Sequence, residues 1–192
     1  MEQPIIQLKD GEAVVFGYGS LLSIASLERT LKQRYDGSFV VCALNGWRRT
    51  WDVRQPNKTF YAATPDGRMY PENILYLNVT KDPGARLNGV AIVVTAAQLE
   101  WLDEREWMYD RVVITQEIEG ARVIGGSAVI YVSKPEYVMR DVRSTRVAAV
   151  RATYLEIVEI GLRDLGAGFR NAYESSTDPV PQHLVIQDLR DD

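Results

Sequence analysis

The chain has 192 residues, a length that fits one domain spanning residues 1–192. Its hydrophobic core is expected to be large enough to be stable without disulfides or structural metals. Its formal net charge is -4, and lysines and arginines are spread along the chain, which argues against nucleic acid as a partner. It contains no run of about 18 apolar residues, and its N-terminus lacks a signal peptide's basic-then-apolar order, so no membrane association is expected.

Cysteine and histidine occur once each, as Cys42 and His183. A lone cysteine cannot form an internal disulfide, which is typical of the reducing cytoplasm, and it excludes a zinc site built on several cysteines. A Ser-His-Asp triad or a multi-histidine metal site would depend on His183, which we interpret as an ordinary residue near the C-terminus. We therefore expect chemistry carried by carboxylates, tyrosines and backbone groups, without a metal or a cofactor.

Strand signals dominate the chain and alternate with three helices. The helices are predicted over residues 23–33, with Ser23 as N-cap, from Thr95 onward, and over 145–165, where Gly166 and Gly168 end the pattern. Because several strands follow one another without a helix between them, the pattern favours an α+β barrel-like domain over a doubly wound sheet. The predicted strands, rich in Val, Ile, Tyr and Thr, cover residues 13–16, 39–44, 49–53, 59–63, 73–79, 89–94, 111–116 and 123–132.

The first strand runs through "GYGSLL", residues 17–22, into the first helix. Glycine and serine are common in such turns because they adopt positive φ and cap helices, and this structural interpretation stays open. In the functional interpretation, a strand that feeds directly into a helix leaves backbone N–H groups free for an anion or a developing oxyanion. The loop has neither the lysine of a Walker A motif nor the third glycine of a dinucleotide fingerprint.

The second helix carries an acidic residue at an apolar position. A capping box over residues 95–98 fixes where this helix begins and therefore its rotational phase. At about 100° per residue, Glu106 shares a face with Leu102, whereas Glu100 and Glu104 face water. Burial on that face would raise the pKa of Glu106 and make it a general acid or base near neutral pH.

An alternative interpretation of Glu106 also stays open. In this case the helix frays before residue 106, and the carboxylate merely pairs with Arg105 or Arg111. The periodicity alone does not decide between the two interpretations.

Four motifs in order along the chain resemble the γ-glutamylcyclotransferase-like superfamily. They are "FGYGSL", "GWRR", "GVAIVV" leading into "LDEREWMY", and the later "YLEIVEIGLRDLGAGFRNAY". This resemblance implies a small closed mixed β-barrel with flanking helices. It also implies that Glu106 is the essential acid, and that backbone groups of one loop hold the γ-glutamyl part of the substrate. The loop residues are Gly17, Tyr18, Gly19, Ser20, Leu21 and Leu22.

Three further residues are candidates for the site. Arg48 or Arg49 is expected to meet the substrate's α-carboxylate, since strand alternation points one of them inward, and Arg49 is the preferred candidate. The alternative is that both are surface arginines. Tyr109 is expected to orient Glu106 or the substrate, the alternative being a core residue.

The resemblance implies a reaction in which the substrate supplies its own nucleophile. The α-amine of a γ-glutamyl amide attacks its γ-carbonyl, giving 5-oxoproline and a free amine, and Glu106 moves the protons. Trp107 and Met108 replace two glycines that are usual in the glutathione-cleaving members, so the substrate stays open. Two alternatives also stay open, a non-catalytic binding protein and a hydrolase or lyase of another small amide. A homodimer is one oligomeric state that the sequence allows.

Overall fold

The computed structural model describes residues 3–191. Within that range the helices are α1 (Ile24–Leu31), α2 (Ala96–Arg105), α3 (Ala152–Leu165) and α4 (Ala167–Ser175). The strands are β1 (Ile5–Gln7), β2 (Glu12–Gly17), β3 (Phe39–Pro56), β4 (Phe60–Thr64), β5 (Gly67–Met69), β6 (Asn73–Thr95), β7 (Tyr109–Val113), β8 (Ile118–Glu119), β9 (Arg122–Ile124), β10 (Ala128–Ser133), β11 (Ala148–Arg151), β12 (Val185–Ile186) and β13 (Asp188–Arg190).

Two long strands, β3 and β6, form the centre of the main sheet and pair antiparallel along almost their whole length. The other edge of β6 pairs with β2 near its C-terminal end and with β11 near its N-terminal end. Beyond β2 lie β10 and then β7, so the sheet contains both parallel and antiparallel pairs. It curls strongly into a half-barrel with the helices around it, which confirms the predicted α+β fold class.

Several predicted strand boundaries are wrong because β-bulges bend a strand without ending it. Gly46 has a φ of +74° and lies at a register shift between Asn45 and Trp47, where β3 turns and continues. Conversely, Gly125, with a φ of +86°, separates β9 from β10 in a segment predicted as one strand. In the structure, each of two pairs of predicted strands forms one continuous strand: 39–44 and 49–53 belong to β3, and 73–79 and 89–94 belong to β6.

The helix starts at α1 and α2 are confirmed. The Ser23 hydroxyl accepts a hydrogen bond from the Ser26 N–H at 3.4 Å. In the capping box of α2, the Thr95 hydroxyl accepts from the Gln98 N–H at 3.3 Å, and the Gln98 side chain accepts from the Thr95 N–H at 2.9 Å. None of the helices within residues 3–191 combines the length and the apolar character needed to cross a bilayer.

The helix predicted over 145–165 is wrong at its N-terminal end. Ala148–Arg151 is the strand β11, whose edges pair with β6 and β12 and whose apolar side chains are buried. Tertiary pairing therefore overrides a run of small apolar residues that also fits a helical period. Gly166, at a φ of +90°, ends α3 as predicted, but Gly168 lies inside α4 and ends nothing.

Helix α3 lies directly on the segment that follows β2. A Cβ atom at Gly161 would lie 2.6 Å from the carbonyl carbon of Leu22, closer than real contacts allow. We expect Gly161→Ala to lower the free energy of unfolding by about 1–3 kcal/mol, because an extra methyl group in a packed interior is destabilising by about that amount. A urea titration measures the change. Gly168→Ala is the matched control, because its Cβ would meet nothing within 4 Å. Equal stability of the two variants would contradict this close approach.

Candidate active site

The loop after β2 is shaped by close packing rather than by unusual backbone angles. Neither Gly17 nor Gly19 has a positive φ, so the need for left-handed backbone does not explain these glycines. A Cβ atom at Gly17 would lie 3.1 Å from three apolar side chains, and one at Gly19 would lie 3.1 Å from the Tyr154 hydroxyl. The two glycines therefore allow the loop to fit against β6 and α3.

Backbone N–H groups of this loop are available to a ligand. The turn is closed by the Leu22 N–H, which donates to the Gly19 carbonyl at 2.9 Å. Across residues 3–191, by contrast, the N–H groups of Gly19, Ser20 and Leu21 donate to no protein acceptor. Residues 19–21 line a small inner cavity of about 40 Å³. Unpaired amides at a cavity wall can stabilise a negatively charged oxygen, because they need no reorganisation to do so.

Glu106 lies on the wall of the same inner cavity. It is the C-cap residue of α2, and its N–H donates to the Leu102 carbonyl at 2.8 Å. The helix therefore ends just before Glu106, as the alternative interpretation held, and Arg105 Nε lies 3.2 Å from Glu106 Oε1. The carboxylate is nevertheless turned inward, with only 17% of the side chain exposed. Arg111 pairs with Asp103 instead.

Two opposing effects set the protonation of Glu106. Burial raises the pKa of its carboxyl group, and the positive charge of Arg105 partly lowers it again. The net effect is a pKa above the usual value for glutamate, which favours proton exchange closer to neutral pH.

Tyrosines form much of the wall around the Glu106 carboxylate. The hydroxyl of Tyr18 donates to the Tyr131 carbonyl, that of Tyr109 to the Leu77 carbonyl, and that of Tyr131 to Asp103, each at 2.8 Å. Burial raises the pKa of the Tyr18, Tyr109 and Tyr131 hydroxyls, and the negative charge of Glu106 adds to the effect. These phenols therefore stay neutral, and Glu106 is the one carboxylate among the described residues that line the inner cavity.

A larger outer cleft of about 580 Å³ adjoins the inner cavity. The two share Ser20, Glu106, Tyr109 and Tyr154, so the carboxylate lies where they meet. The outer cleft has room for a second portion of a substrate beyond the carboxylate. Its remaining walls come from α1, α2, α3 and the adjoining strands, and its charged lining residues are Arg29, Lys32, Glu104, Arg105, Glu106 and Arg151.

The position of Arg49 corrects its expected role. The side chain points inward, as strand alternation predicted, but it is fully buried and lines neither cavity. Its Nε donates to the Tyr18 carbonyl at 2.6 Å, and its Nη atoms donate to Asn88 and to the Ser176 hydroxyl. Burial lowers the pKa of its guanidinium to about 10. Arg49 therefore supports the loop through the Tyr18 carbonyl, on the side away from the two cavities. It is not placed to contact a substrate carboxylate.

The other predicted residues divide into two groups. Tyr18, Ser20 and Tyr109 line the inner cavity, together with Gly19 and Leu21. The Tyr109 hydroxyl donates its hydrogen to the Leu77 carbonyl rather than to Glu106. Gly17 and Leu22, at the two ends of the loop, line neither cavity. Arg48 also lines neither of them and pairs with Asp178.

The two residues that follow Glu106 face different surroundings. Met108 is buried and lines the outer cleft, so it contributes an apolar wall there. Trp107 is 42% exposed, stacks edge-on against Tyr137 and lines a neighbouring depression instead.

Sequence reasoning missed Tyr131 and Tyr154 as members of the site. Tyr154 matches the apolar stripe of a helix, and Tyr131 lies inside an apolar strand, so neither stands out locally. Both reach the cavity only because α3 and β10 pack around the loop. Their one signal is a hydroxyl inside an otherwise apolar segment, since buried tyrosine hydroxyls need a partner.

The sequence matches the profile of the family described as "Gamma-glutamyl cyclotransferase, AIG2-like" over residues 15–149. This span is more than half of the chain and includes both the loop and Glu106, so the protein belongs to this family. No curated protein sequence is a significant match to the chain.

Solved structures share the fold at low sequence identity. One is a human protein described as "uncharacterized protein loc79017", with a TM-score of 0.60 and 17% identity, covering 90% of this chain and 91% of that chain. Another, named "Gamma-glutamyl cyclotransferase", has a TM-score of 0.56 and 16% identity, covering 88% and 90%. YkqA from Bacillus subtilis has a TM-score of 0.55 and 16% identity, covering 89% of this chain and 57% of YkqA. At such identities the likeness establishes the fold alone.

Proposed function

We propose that this protein is a cytoplasmic, cofactor-free γ-glutamyl cyclotransferase with Glu106 as its general acid and base. One observation carries the proposal: a largely buried carboxylate shares a small cavity with Gly19, Ser20 and Leu21, whose N–H groups have no acceptor within residues 3–191. The family to which the chain belongs and the name of one structural neighbour support the same reaction. The substrate is a small γ-glutamyl amide.

In the proposed reaction the γ-carbonyl group enters the inner cavity beside Glu106, and the rest of the γ-glutamyl part lies where this cavity meets the outer cleft. The Glu106 carboxylate takes a proton from the substrate's α-ammonium, and the freed amine attacks the γ-carbonyl carbon. The C–N bond of the amide then breaks as Glu106 delivers that proton to the leaving nitrogen. Attack leaves a second, acidic proton on the ring nitrogen, and Glu106 passes this proton to the released amine, which departs as an ammonium ion. The products are 5-oxoproline and a free amine, and Glu106 returns to its starting state. A positioned acid-base group of this kind contributes roughly 10²- to 10⁴-fold to a rate.

The loop has a separate role in this scheme. Negative charge develops on the γ-carbonyl oxygen when the amine attacks, and the N–H groups of Gly19, Ser20 and Leu21 are the donors available to it. A single donor of this kind is worth roughly 10²- to 10³-fold in kcat. The leaving portion then extends into the outer cleft, past Met108 and the helices.

The test is a panel of γ-glutamyl compounds incubated with purified protein and followed by mass spectrometry. The panel contains γ-glutamyl derivatives of neutral, acidic and basic amino acids, of simple amines, and glutathione. We expect at least one member to give 5-oxoproline and its free amine in equal amounts.

Other outcomes separate the alternatives. Release of glutamate instead of 5-oxoproline indicates a hydrolase, because water rather than the α-amine is then the nucleophile. Saturable binding without any product indicates a binding protein. Either result overturns the proposal.

A further inference from the structure

Arg105 joins three elements around the proposed acid. Its Nη1 donates to the Thr30 hydroxyl of α1 at 2.6 Å, and its Nη2 donates to the Ser20 hydroxyl of the loop at 2.6 Å. Its Nε lies 3.2 Å from Glu106 Oε1 at the end of α2. The side chain lines the outer cleft and is 29% exposed. One guanidinium therefore contacts the loop, the first helix and the carboxylate together.

We propose that Arg105 is a positioning residue that fixes the Glu106 carboxylate against the Ser20 loop and keeps it ready to accept a proton. This inference rests on the proposed function and names a residue on which that function depends. A guanidinium is suited to the role because its planar fork presents several donors in fixed directions. A lysine could reach one or two of these partners but could not hold all three in the same geometry.

The charge of Arg105 matters as well as its shape. Burial alone favours the protonated form of Glu106, which cannot act as a base, and Arg105 opposes that effect. The tyrosines that face Glu106 from the loop, β7, β10 and α3 are neutral and do not replace the positive charge. They are Tyr18, Tyr109, Tyr131 and Tyr154.

The other charged residues of the outer cleft do not substitute for Arg105 either. Arg151 is held by Asp188, with its Nε 2.8 Å from the carboxylate. Arg29 lies in the last turn of α1, and Lys32 is the C-cap residue of that helix. Within residues 3–191, neither forms an ion pair with Glu106. Glu104 also lines the cleft, but its negative charge cannot replace the positive charge of an arginine.

The experiment compares pH profiles of 5-oxoproline release for wild type, Arg105→Gln and Arg105→Lys. An opposite charge at this distance typically lowers a carboxyl pKa by about one unit or more, so its loss moves the acidic limb of kcat/KM up by about one pH unit. Below that limb, we expect Arg105→Gln to be roughly tenfold slower than wild type, with recovery at higher pH. Arg105→Lys should leave the limb near its wild-type position.

The matched control is Arg163→Gln, which removes an arginine that is 70% exposed on α3 and pairs with Asp164. Its acidic limb should coincide with that of wild type. A purely structural role for Arg105 predicts a loss of rate that is equal at every pH, with an unmoved limb. That result, or unchanged kinetics in Arg105→Gln, overturns the inference.

A second measurement separates this inference from the proposed reaction. In protein carrying ¹³C-labelled glutamate carboxyls, the signal that disappears in Glu106→Gln identifies Glu106, and its titration is followed by NMR. We expect the midpoint to rise in Arg105→Gln even if no substrate in the panel is turned over. A midpoint that does not move refutes the electrostatic role, whereas absence of 5-oxoproline refutes the proposed function.

Discussion

Replacing Glu106 with glutamine is expected to lower kcat/KM for 5-oxoproline release by about 10³-fold, within the roughly 10²- to 10⁴-fold range of positioned acid-base groups. The amide has nearly the same shape as the carboxylate but cannot accept a proton from the α-ammonium. The fold should survive, because the substitution removes a charge whose burial is itself unfavourable. Single-turnover assays on the best substrate of the panel and a urea titration measure the two quantities.

Glu100→Gln is the matched control for that variant. Glu100 lies on the same helix and makes the same change of charge, but its side chain is exposed and lines neither cavity. It should keep wild-type kinetics and wild-type stability. Wild-type turnover by Glu106→Gln, or an equal loss in both variants, would eliminate Glu106 as the acid-base residue.

The helix starts could be predicted because their signals are local. Ser23 and the residue pair Thr95 and Gln98 each satisfy backbone N–H groups within three residues of themselves, so the sequence contains the whole interaction. The position of Glu106 was harder to predict. The helix ends one residue before Glu106, so helical periodicity does not set the direction of this side chain. The carboxylate points inward because of the backbone geometry at the C-terminus of the helix.

Features that depend on distant segments escaped prediction. The strand β11 exists because β6 and β12 are available on its two edges, and the bulge at Gly46 lets β3 bend onward rather than end. The same holds for Arg105, whose partners Ser20 and Thr30 are more than seventy residues away in the chain. Local sequence spacing does not reveal such distant partners. The motif resemblance therefore pointed to the loop and to Glu106 but not to the arginine that contacts both.

Replacing Arg49 with methionine is expected to lower the free energy of unfolding by about 3–5 kcal/mol, since it leaves several buried acceptors without a donor. The guanidinium donates to the Tyr18 carbonyl, to Asn88 and to the Ser176 hydroxyl, and it stacks 4.2 Å from the centre of the Tyr173 ring.

Arg49→Lys should recover part of this stability, because an ammonium keeps the charge and some of the donors but not the fork. Urea titration of both variants gives the comparison. Arg48→Met is the matched control: its neighbouring guanidinium is 30% exposed and pairs with Asp178, itself 45% exposed. A pair of this exposure is worth only about 0–1 kcal/mol. If the Arg49 and Arg48 variants lost equal stability, the buried network would not be what holds the loop after β2, and the amides of Gly19–Leu21 would need another support.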